Sequence, residues 1–173
     1  TAVDDFSTIE FEPNDSAEVS QAVNFNKTYE GQLSSMSDVD FYTFAIDKTA
    51  KLEISFQSEL RESNGWKYEL LTDAGSVLGA SFCDFTQCQN GETLSVGVQS
   101  GTYYLKVLPE SDSSNESFLP DGAYFFTLTA VDDFSTVEFE PNGSVETSQA
   151  VDLNTAYEGQ LSGMSDVDYY KVT

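Results

Sequence analysis

Histidine is absent from this 173-residue chain, and basic residues are scarce. Without histidine, the chain cannot form a Ser-His-Asp triad, a histidine general base or the usual nitrogen ligands of zinc, which excludes most hydrolase mechanisms. Lys and Arg together number 7 against 30 Asp and Glu, a formal net charge of −23. This charge repels phosphate backbones and anionic lipid surfaces, so we expect neither nucleic acid nor a membrane surface as a partner.

Cysteine and long apolar runs are also rare. The only cysteines, Cys83 and Cys88 in "FCDFTQCQ", are too few for a thiolate zinc site. Their spacing fits a small disulfide that pins a loop, with two free thiols as the alternative. No apolar run reaches membrane-spanning length, so we predict no membrane insertion. Because the chain has neither an initiating methionine nor a signal peptide, we expect it to be a piece of a longer exported protein.

The chain repeats its own opening. Residues 1–45 align with residues 129–173, and 32 of the 45 pairs are identical. A period of 128 residues corresponds to a whole domain rather than to a solenoid unit of roughly 20–50 residues. We therefore expect a tandem array in which neighbouring copies of one module are partners. The predicted organisation is a junction at 1–8, a complete module at 9–131, a second junction at 132–136 and the first third of another copy at 137–173.

Eight short segments between the two openings have strand patterns, and no stretch has a convincing helical period. The segments alternate or run apolar and are separated by turn formers such as "TDAGS" and "QNGE". Leu52, Ile54 and Phe56 illustrate the alternation that places apolar residues on one face. Two sheets packed on such faces predict an all-β fold, an antiparallel β-sandwich of jelly-roll type. The segments are "KTYEGQL", "VDFYTFAI", "KLEISFQ", "KYELLT", "SVLGASF", "ETLSVGV", "TYYLKVL" and "AYFFTLTAV".

Several motifs, in order, resemble a known family. "EFEPNDS", "GQLSSMSDVDFYTFAI", "KLEISF", "YELLTDAGSVLGAS" and "SGTYYLKV" resemble the bacterial pre-peptidase C-terminal domain, which is similar to the collagen-binding domain of clostridial collagenases. The resemblance covers residues 9 to about 131 and restarts at 137. It implies a non-catalytic β-sandwich of the kind found beside the catalytic domains of secreted proteases. We therefore expect a secreted or cell-surface bacterial protein.

Oxygen-bearing side chains concentrate near the start of each copy. Glu10, Glu12 and Asn14 alternate along an extended segment, so they present oxygens on one side, and Asp38 and Asp40 are likewise two residues apart. A turn could bring both groups together, and so many oxygen ligands suit calcium better than magnesium. The resemblance implies the same cofactor, because the corresponding segments of the collagenase modules bind calcium. It places the metal ligands at Glu10, Glu12, Asn14, Asp15, Asp38 and Asp40, and in the second copy at Glu138, Glu140, Asn142, Asp166 and Asp168.

An ordinary acidic surface is the alternative interpretation of these residues. No EF-hand loop of the form D-x-D-x-D-G occurs. Gly143 stands in the second copy where Asp15 stands in the first, so we expect the second site to be weaker. A bound ion would turn repulsion between clustered carboxylates into a crosslink, and we predict that calcium stabilises the module and stiffens its junction.

Trp66, the only tryptophan, is the candidate for a ligand-binding aromatic side chain. It follows a turn, where it could bind a glycan ring or a protein strand, or else it lies in the core as we expect of Tyr68 and Tyr103.

The leading hypothesis for the whole chain is a calcium-stabilised accessory module that acts as a spacer or targeting domain. The alternative is a carbohydrate- or collagen-binding domain with an extracellular polysaccharide or matrix protein as partner. An enzyme such as a glycosidase comes third, because nothing marks a paired acid and base.

The second copy raises a separate expectation. Residues 137–173 lack the strands with which they should pair, which leaves "AYEGQL" and "DVDYYKV" with open edges. We expect this segment to be disordered or to exchange with the equivalent strands of a neighbouring molecule in a domain swap.

Overall fold

The computed structural model describes residues 8–58, 65–83, 85–110, 122–132, 135–163 and 165–173. These residues form eleven strands, one short α-helix and a 3-10 helix. The strands are β1 (Gln21–Ala22), β2 (Thr28–Gly31), β3 (Asp40–Ile46), β4 (Ala50–Ser58), β5 (Trp66–Thr72), β6 (Val77–Cys83), β7 (Glu92–Val98), β8 (Gly101–Pro109), β9 (Tyr124–Val131), β10 (Gln149–Val151) and β11 (Tyr170–Val172). The α-helix, α1, is Phe85–Asn90, and the 3-10 helix is Ala17–Val19.

Two sheets make the sandwich, in the orders β1-β3-β8-β5-β6 and β2-β9-β4-β7. From β2 to β9 the chain changes sheet at every connection except the β5–β6 hairpin, and β2 and β9 then pair antiparallel. This is the connectivity of a jelly roll, so the predicted fold class is confirmed. One pair departs from the antiparallel pattern, because the two-residue strand β1 lies parallel to β3.

The core lies between the inward faces of the two sheets. All eight predicted strands are present as β2 to β9, and Leu52, Ile54 and Phe56 of β4 are fully buried. The ring of Phe56 stacks on that of Tyr68 from the opposite sheet, with 4.6 Å between the ring centroids. Each such side chain contributes about 1.5–3 kcal/mol by leaving water, so alternation along the strands determines which faces meet.

Trp66 also belongs to this core, so its interpretation as an exposed ligand-binding residue is wrong. Its exposed fraction is 0%, and its ring packs edge-on against Tyr124 at 5.1 Å. The physical reason is its position on β5, which pairs on one side with β6 and on the other with β8. Tyr68 and Tyr103 are buried as expected.

A disulfide joins Cys83 to Cys88, as the spacing predicted. Cys83 ends β6, Cys88 lies in α1, and both residues are completely buried in the core. The sequence did not indicate this helix, because six residues are too few to show an apolar period. At six residues, α1 is also far too short to cross a bilayer, and the described part of the chain contains no other helix that could do so.

The second copy reproduces the local structure of the first. Strands β10 and β11 pair in parallel with Gln149 opposite Tyr170, just as Gln21 lies opposite Tyr42. The copy contacts β7, where the Gly97 amide donates to the Glu138 carbonyl at 2.9 Å. The expectation of disorder is therefore wrong for the described residues of 135–173, which fold against the sandwich of their own chain. Domain swapping between molecules stays a prediction.

Candidate metal centre

An extended segment, residues 9–14, runs across the end of the sandwich from one sheet to the other. On one side the Glu10 amide donates to the Glu30 carbonyl of β2 at 2.9 Å. On the other, the Phe41 amide of β3 donates to the Asn14 carbonyl at 2.9 Å. The segment is thereby held over the first residue of β3, which is Asp40.

Three carboxylates meet at this point. Glu10, Glu12 and Asp40 each offer an oxygen, and these three atoms lie within 4.8 Å of one another. Asn14 joins them, because its side-chain Nδ2 donates to Glu10 Oε1 at 3.0 Å and its backbone N–H donates to Glu12 Oε2 at 3.1 Å. Asp40 and Asn14 are fully buried. We call Glu10, Glu12, Asn14 and Asp40 the first cluster.

Two tyrosines of the predicted strands, Tyr42 and Tyr124, also reach the first cluster. The Tyr124 hydroxyl donates to Asp40 Oδ2, and the hydroxyls of Tyr124 and Tyr42 are hydrogen-bonded to each other at 2.6 Å. Tyr42 also donates to Glu10 Oε1 at 3.4 Å. Gly31 makes room for them, since a Cβ atom there would lie 2.4 Å from the Tyr124 hydroxyl. The one available sequence signal was the position of Tyr42, two residues after Asp40 on the same face of β3.

Asp38 and Asp15, the other two predicted ligands of the first copy, have different surroundings. Asp38 Oδ2 accepts from the Ser34 amide and Oδ1 accepts from the Val39 amide at 2.9 Å, so this side chain organises the turn before β3. Its burial favours a higher pKa, but hydrogen bonds from Ser34 and Val39 outweigh the burial and lower the pKa. Asp15 is exposed. Metal ligation by these two residues stays a prediction.

The electrostatics of the first cluster are unfavourable without a cation. Within the described part of the chain, no hydrogen-bond donor reaches Asn14 Oδ1 or Asp40 Oδ1, although both atoms are buried. Burial, followed by the neighbouring carboxylates of Glu10 and Asp38, raises the pKa of Asp40 to about 9. Burial and the nearby acidic groups also raise the pKa of Glu12. An unsatisfied buried polar atom costs about 1–3 kcal/mol, which favours a positively charged partner at this position.

The same arrangement recurs 128 residues later, in what we call the second cluster: Glu138, Glu140, Asn142 and Asp168. Oxygens of its three carboxylates again lie within 4.8 Å of one another. Asn142 Nδ2 donates to Glu138 Oε1 at 2.6 Å, and the Asn142 amide donates to Glu140 Oε2 at 2.9 Å. The buried atoms Glu140 Oε1, Asn142 Oδ1 and Asp168 Oδ1 have no hydrogen-bond partner among the described residues. Asp166 accepts from the Ser162 amide, as Asp38 does from Ser34.

The two clusters differ in which carboxylate is buried, since Glu138 is buried and its counterpart Glu10 is only half-buried. Asp168 is only half-buried, whereas Asp40 is fully buried. Burial, followed by the charge of Glu138, raises the pKa of Asp168 to about 6, and burial raises that of Glu140 to about 7. Residues 135–173 contain no counterpart of Tyr124, which lies on β9. The first cluster is therefore built into the sandwich, and the second lies within residues 138–168.

The chain matches no protein-family model. It also matches no curated protein. Among solved structures, it is similar to the 1.0 Å crystal structure of the pre-peptidase C-terminal domain of collagenase from Bacillus anthracis. The TM-score is 0.48 and the sequence identity 20%, with 62% of this chain and 92% of that chain covered. That domain belongs to the family that the sequence motifs resemble, and at this identity the likeness concerns the fold alone.

Proposed function

We propose that this chain is a non-catalytic accessory β-sandwich, stabilised by calcium, from a secreted or surface-attached multi-domain bacterial protein. In that protein it serves as a spacer or targeting module in a tandem array. The observation that carries the proposal is the pair of matching clusters, each with three convergent carboxylates and buried oxygens that lack donors. Buried oxygens without donors distinguish these clusters from acidic side chains on an exposed surface.

The donor set of each cluster fits calcium. Glu10, Glu12 and Asp40 supply three carboxylates, and Asn14 Oδ1 supplies a neutral oxygen. Calcium takes six to eight oxygen ligands in flexible geometry, and carbonyls and water can complete such a set. Magnesium requires a compact octahedron and retains its water, and the absence of nitrogen and sulfur ligands disfavours zinc. When bound, the ion would supply two positive charges against the repelling carboxylates.

The position of the first cluster explains how an ion would stabilise the fold. Glu10 and Glu12 lie on the extended segment, whereas Asp40 begins β3 and accepts a hydrogen bond from Tyr124 of β9. A shared ion would therefore tie the segment to strands of both sheets. A ligand that binds only the native state adds RT ln(1 + [L]/Kd) to the free energy of unfolding. The second cluster would extend the same effect to the junction, since the Glu138 carbonyl accepts a hydrogen bond from Gly97.

Export is supported by two further features. The Cys83–Cys88 disulfide is of a kind that persists in oxidising compartments outside the cytosol. The net charge of −23 keeps an extracellular surface hydrated and attracts divalent cations. The accessory role itself is supported by the sequence motifs quoted above.

Calorimetric titration of the full chain with calcium tests this function. We expect two binding events, of which the tighter is lost in Asp40→Asn and retained in Asp168→Asn. Glu30→Gln is the control, because Glu30 is an exposed carboxylate whose backbone carbonyl pairs with Glu10 while its side chain lies outside the first cluster. Magnesium at the same concentration should bind more weakly. Absence of calcium binding, or binding that Asp40→Asn leaves unchanged, would contradict the proposal.

A further inference from the structure

Residues 9–11 and 137–139 have the same local conformation in two different environments. In the first copy the Gln21 side chain accepts from the Phe11 amide at 2.9 Å and donates to the Ile9 carbonyl at 3.0 Å. In the second copy Gln149 makes the same two hydrogen bonds to residues 139 and 137, at 2.7 and 2.8 Å. Any difference in burial between the two segments therefore comes from what packs against them.

The burial differs strongly. Ile9 is 49% exposed and Phe11 is 58% exposed. Their counterparts are covered, since Val137 is only 5% exposed and Phe139 is half-buried. Two large apolar side chains are thus presented to solvent in one copy and packed in the other.

Strand β7 covers the second-copy segment. Gly97 forms a parallel bridge with Phe139, and its amide donates to the Glu138 carbonyl at 2.9 Å. The approach requires glycine, because a Cβ atom at residue 97 would lie 2.2 Å from the Glu138 carbonyl oxygen. Since β7 is the edge of its sheet, the segment 137–139 extends that sheet by a short stretch.

Two polar contacts flank this backbone contact. Lys51 pairs with Glu158 at 3.6 Å, and Gln160 Nε2 donates to the Ala80 carbonyl at 3.0 Å. The first-copy counterparts of Glu158 and Gln160 are Glu30 and Gln32, and both are exposed. The first copy therefore displays the same apolar, charged and amide groups that the second copy uses.

We propose that Ile9, Phe11, Glu30 and Gln32 form a docking surface for the β7 edge of another copy of this module. The contact joins two different surfaces, so it repeats head to tail rather than forming a two-fold symmetric dimer. It deepens the proposed array function, on whose tandem arrangement it rests, and it does not require calcium. The partner must present a free β7 edge, because the β7 edge of this chain is already occupied by residues 137–139.

Linkage within one chain explains how so small a contact can persist. A short connection gives the linked segment an effective concentration in the millimolar range, about 1 mM. The same contact between separate chains should therefore appear only at high protein concentration.

The test frees the β7 edge in the full chain. Val137→Asp places a charge at a nearly buried apolar position, which should release residues 137–139 and expose the Gly97 amide to hydrogen exchange. Each molecule then carries both a free edge and the first-copy docking surface. Sedimentation velocity up to about 1 mM should show concentration-dependent association of this variant, with the unchanged chain remaining monomeric. If Gly97 stays protected at low concentration, Val137→Asp with Phe139→Asp takes the place of the single change.

Two further variants decide whether the proposed surface is responsible. Adding Ile9→Asp to Val137→Asp should abolish association, whereas adding Leu153→Asp should not, because Leu153 is an exposed apolar residue outside the docking surface. A monomer with an exposed Gly97 amide would overturn the proposal. Association that Ile9→Asp leaves unchanged would also overturn it. Calcium binding is measured separately by calorimetry, so a failure of the metal site is distinguishable from a failure of this interface.

Discussion

Glu12→Gln and Glu140→Gln make the same chemical change at equivalent positions of the two clusters. Each native carboxylate accepts a hydrogen bond from the amide of an asparagine two residues later, and the glutamine oxygen can still accept it. The two variants therefore differ only in which cluster loses a negative charge. We expect calcium to raise the unfolding temperature of the unchanged chain and of Glu140→Gln, and to have little effect on Glu12→Gln.

The size of the effect follows from where the first cluster lies. Asp40 begins β3 and is hydrogen-bonded to Tyr124 of β9, so the first cluster is taken apart when the sandwich unfolds. At a calcium concentration of 100 times Kd, the added free energy of unfolding is about 2.7 kcal/mol. At roughly 4 °C per kcal/mol for a domain of this size, the midpoint should rise by about 10 °C. The second cluster lies on the short repeat and should change this midpoint little.

Trp66 provides the assay. It is the only tryptophan and is fully buried between the sheets, so its fluorescence reports unfolding of the sandwich rather than of the second copy. Thermal unfolding is followed in calcium and in chelator for the three proteins. Equal midpoints in the two buffers for the unchanged chain would refute the reasoning. So would a Glu140→Gln variant that loses the shift as completely as Glu12→Gln.

Three other predictions concern the same core and cluster. In chelator at pH 8, Asp40→Asn should be at least as stable as the unchanged chain, because it removes a carboxylate whose ionised form is disfavoured by burial and by Glu10. Thermal unfolding of this variant should have the same midpoint with and without calcium. Burial and the adjacent Glu10 raise the pKa of Asp40 from 3.8 to about 9, so the calcium-free folded state retains a proton that the unfolded chain releases. The stability that this proton adds is fully present below pH 3.8 and is lost as the pH rises towards 9. Urea unfolding across this range should show the free energy of unfolding fall with pH, and Asp40→Asn should make that fall smaller. Trp66→Ala should lower the free energy of unfolding by about 3–5 kcal/mol, measured by circular dichroism in urea, and a neutral result would contradict its placement in the core.

The strands and the core faces could be predicted because a half-buried strand has a period of two. Leu52, Ile54 and Phe56 alternate with polar residues, and the structure buries all three. Short elements carry too few residues for such a period, so the two-residue strand β1 and the six-residue helix α1 were not indicated. The position of Trp66 was ambiguous, because a residue after a turn can begin either a central or an edge strand.

The candidate site could be predicted only in part. Alternation along the extended segment indicated Glu10 and Glu12, and the structure places both beside Asp40. The hydroxyl of Tyr124 could not be assigned to the site, because it lies 84 residues from Asp40 and is brought there by pairing between strands. Asp38 lies two residues before Asp40, and this spacing indicated a further ligand. Its two oxygens instead accept backbone hydrogen bonds of the turn before β3.

The central claim is that each cluster holds one calcium ion between oxygens of the extended segment and oxygens near the following strand. An anomalous difference map from a crystal of the full chain grown with calcium tests it most directly. The account predicts one peak among Glu10, Glu12, Asn14 and Asp40, and a second, weaker peak among Glu138, Glu140, Asn142 and Asp168. A map with no peak at the first cluster, and with its carboxylates bonded only to water and protein, would contradict the account.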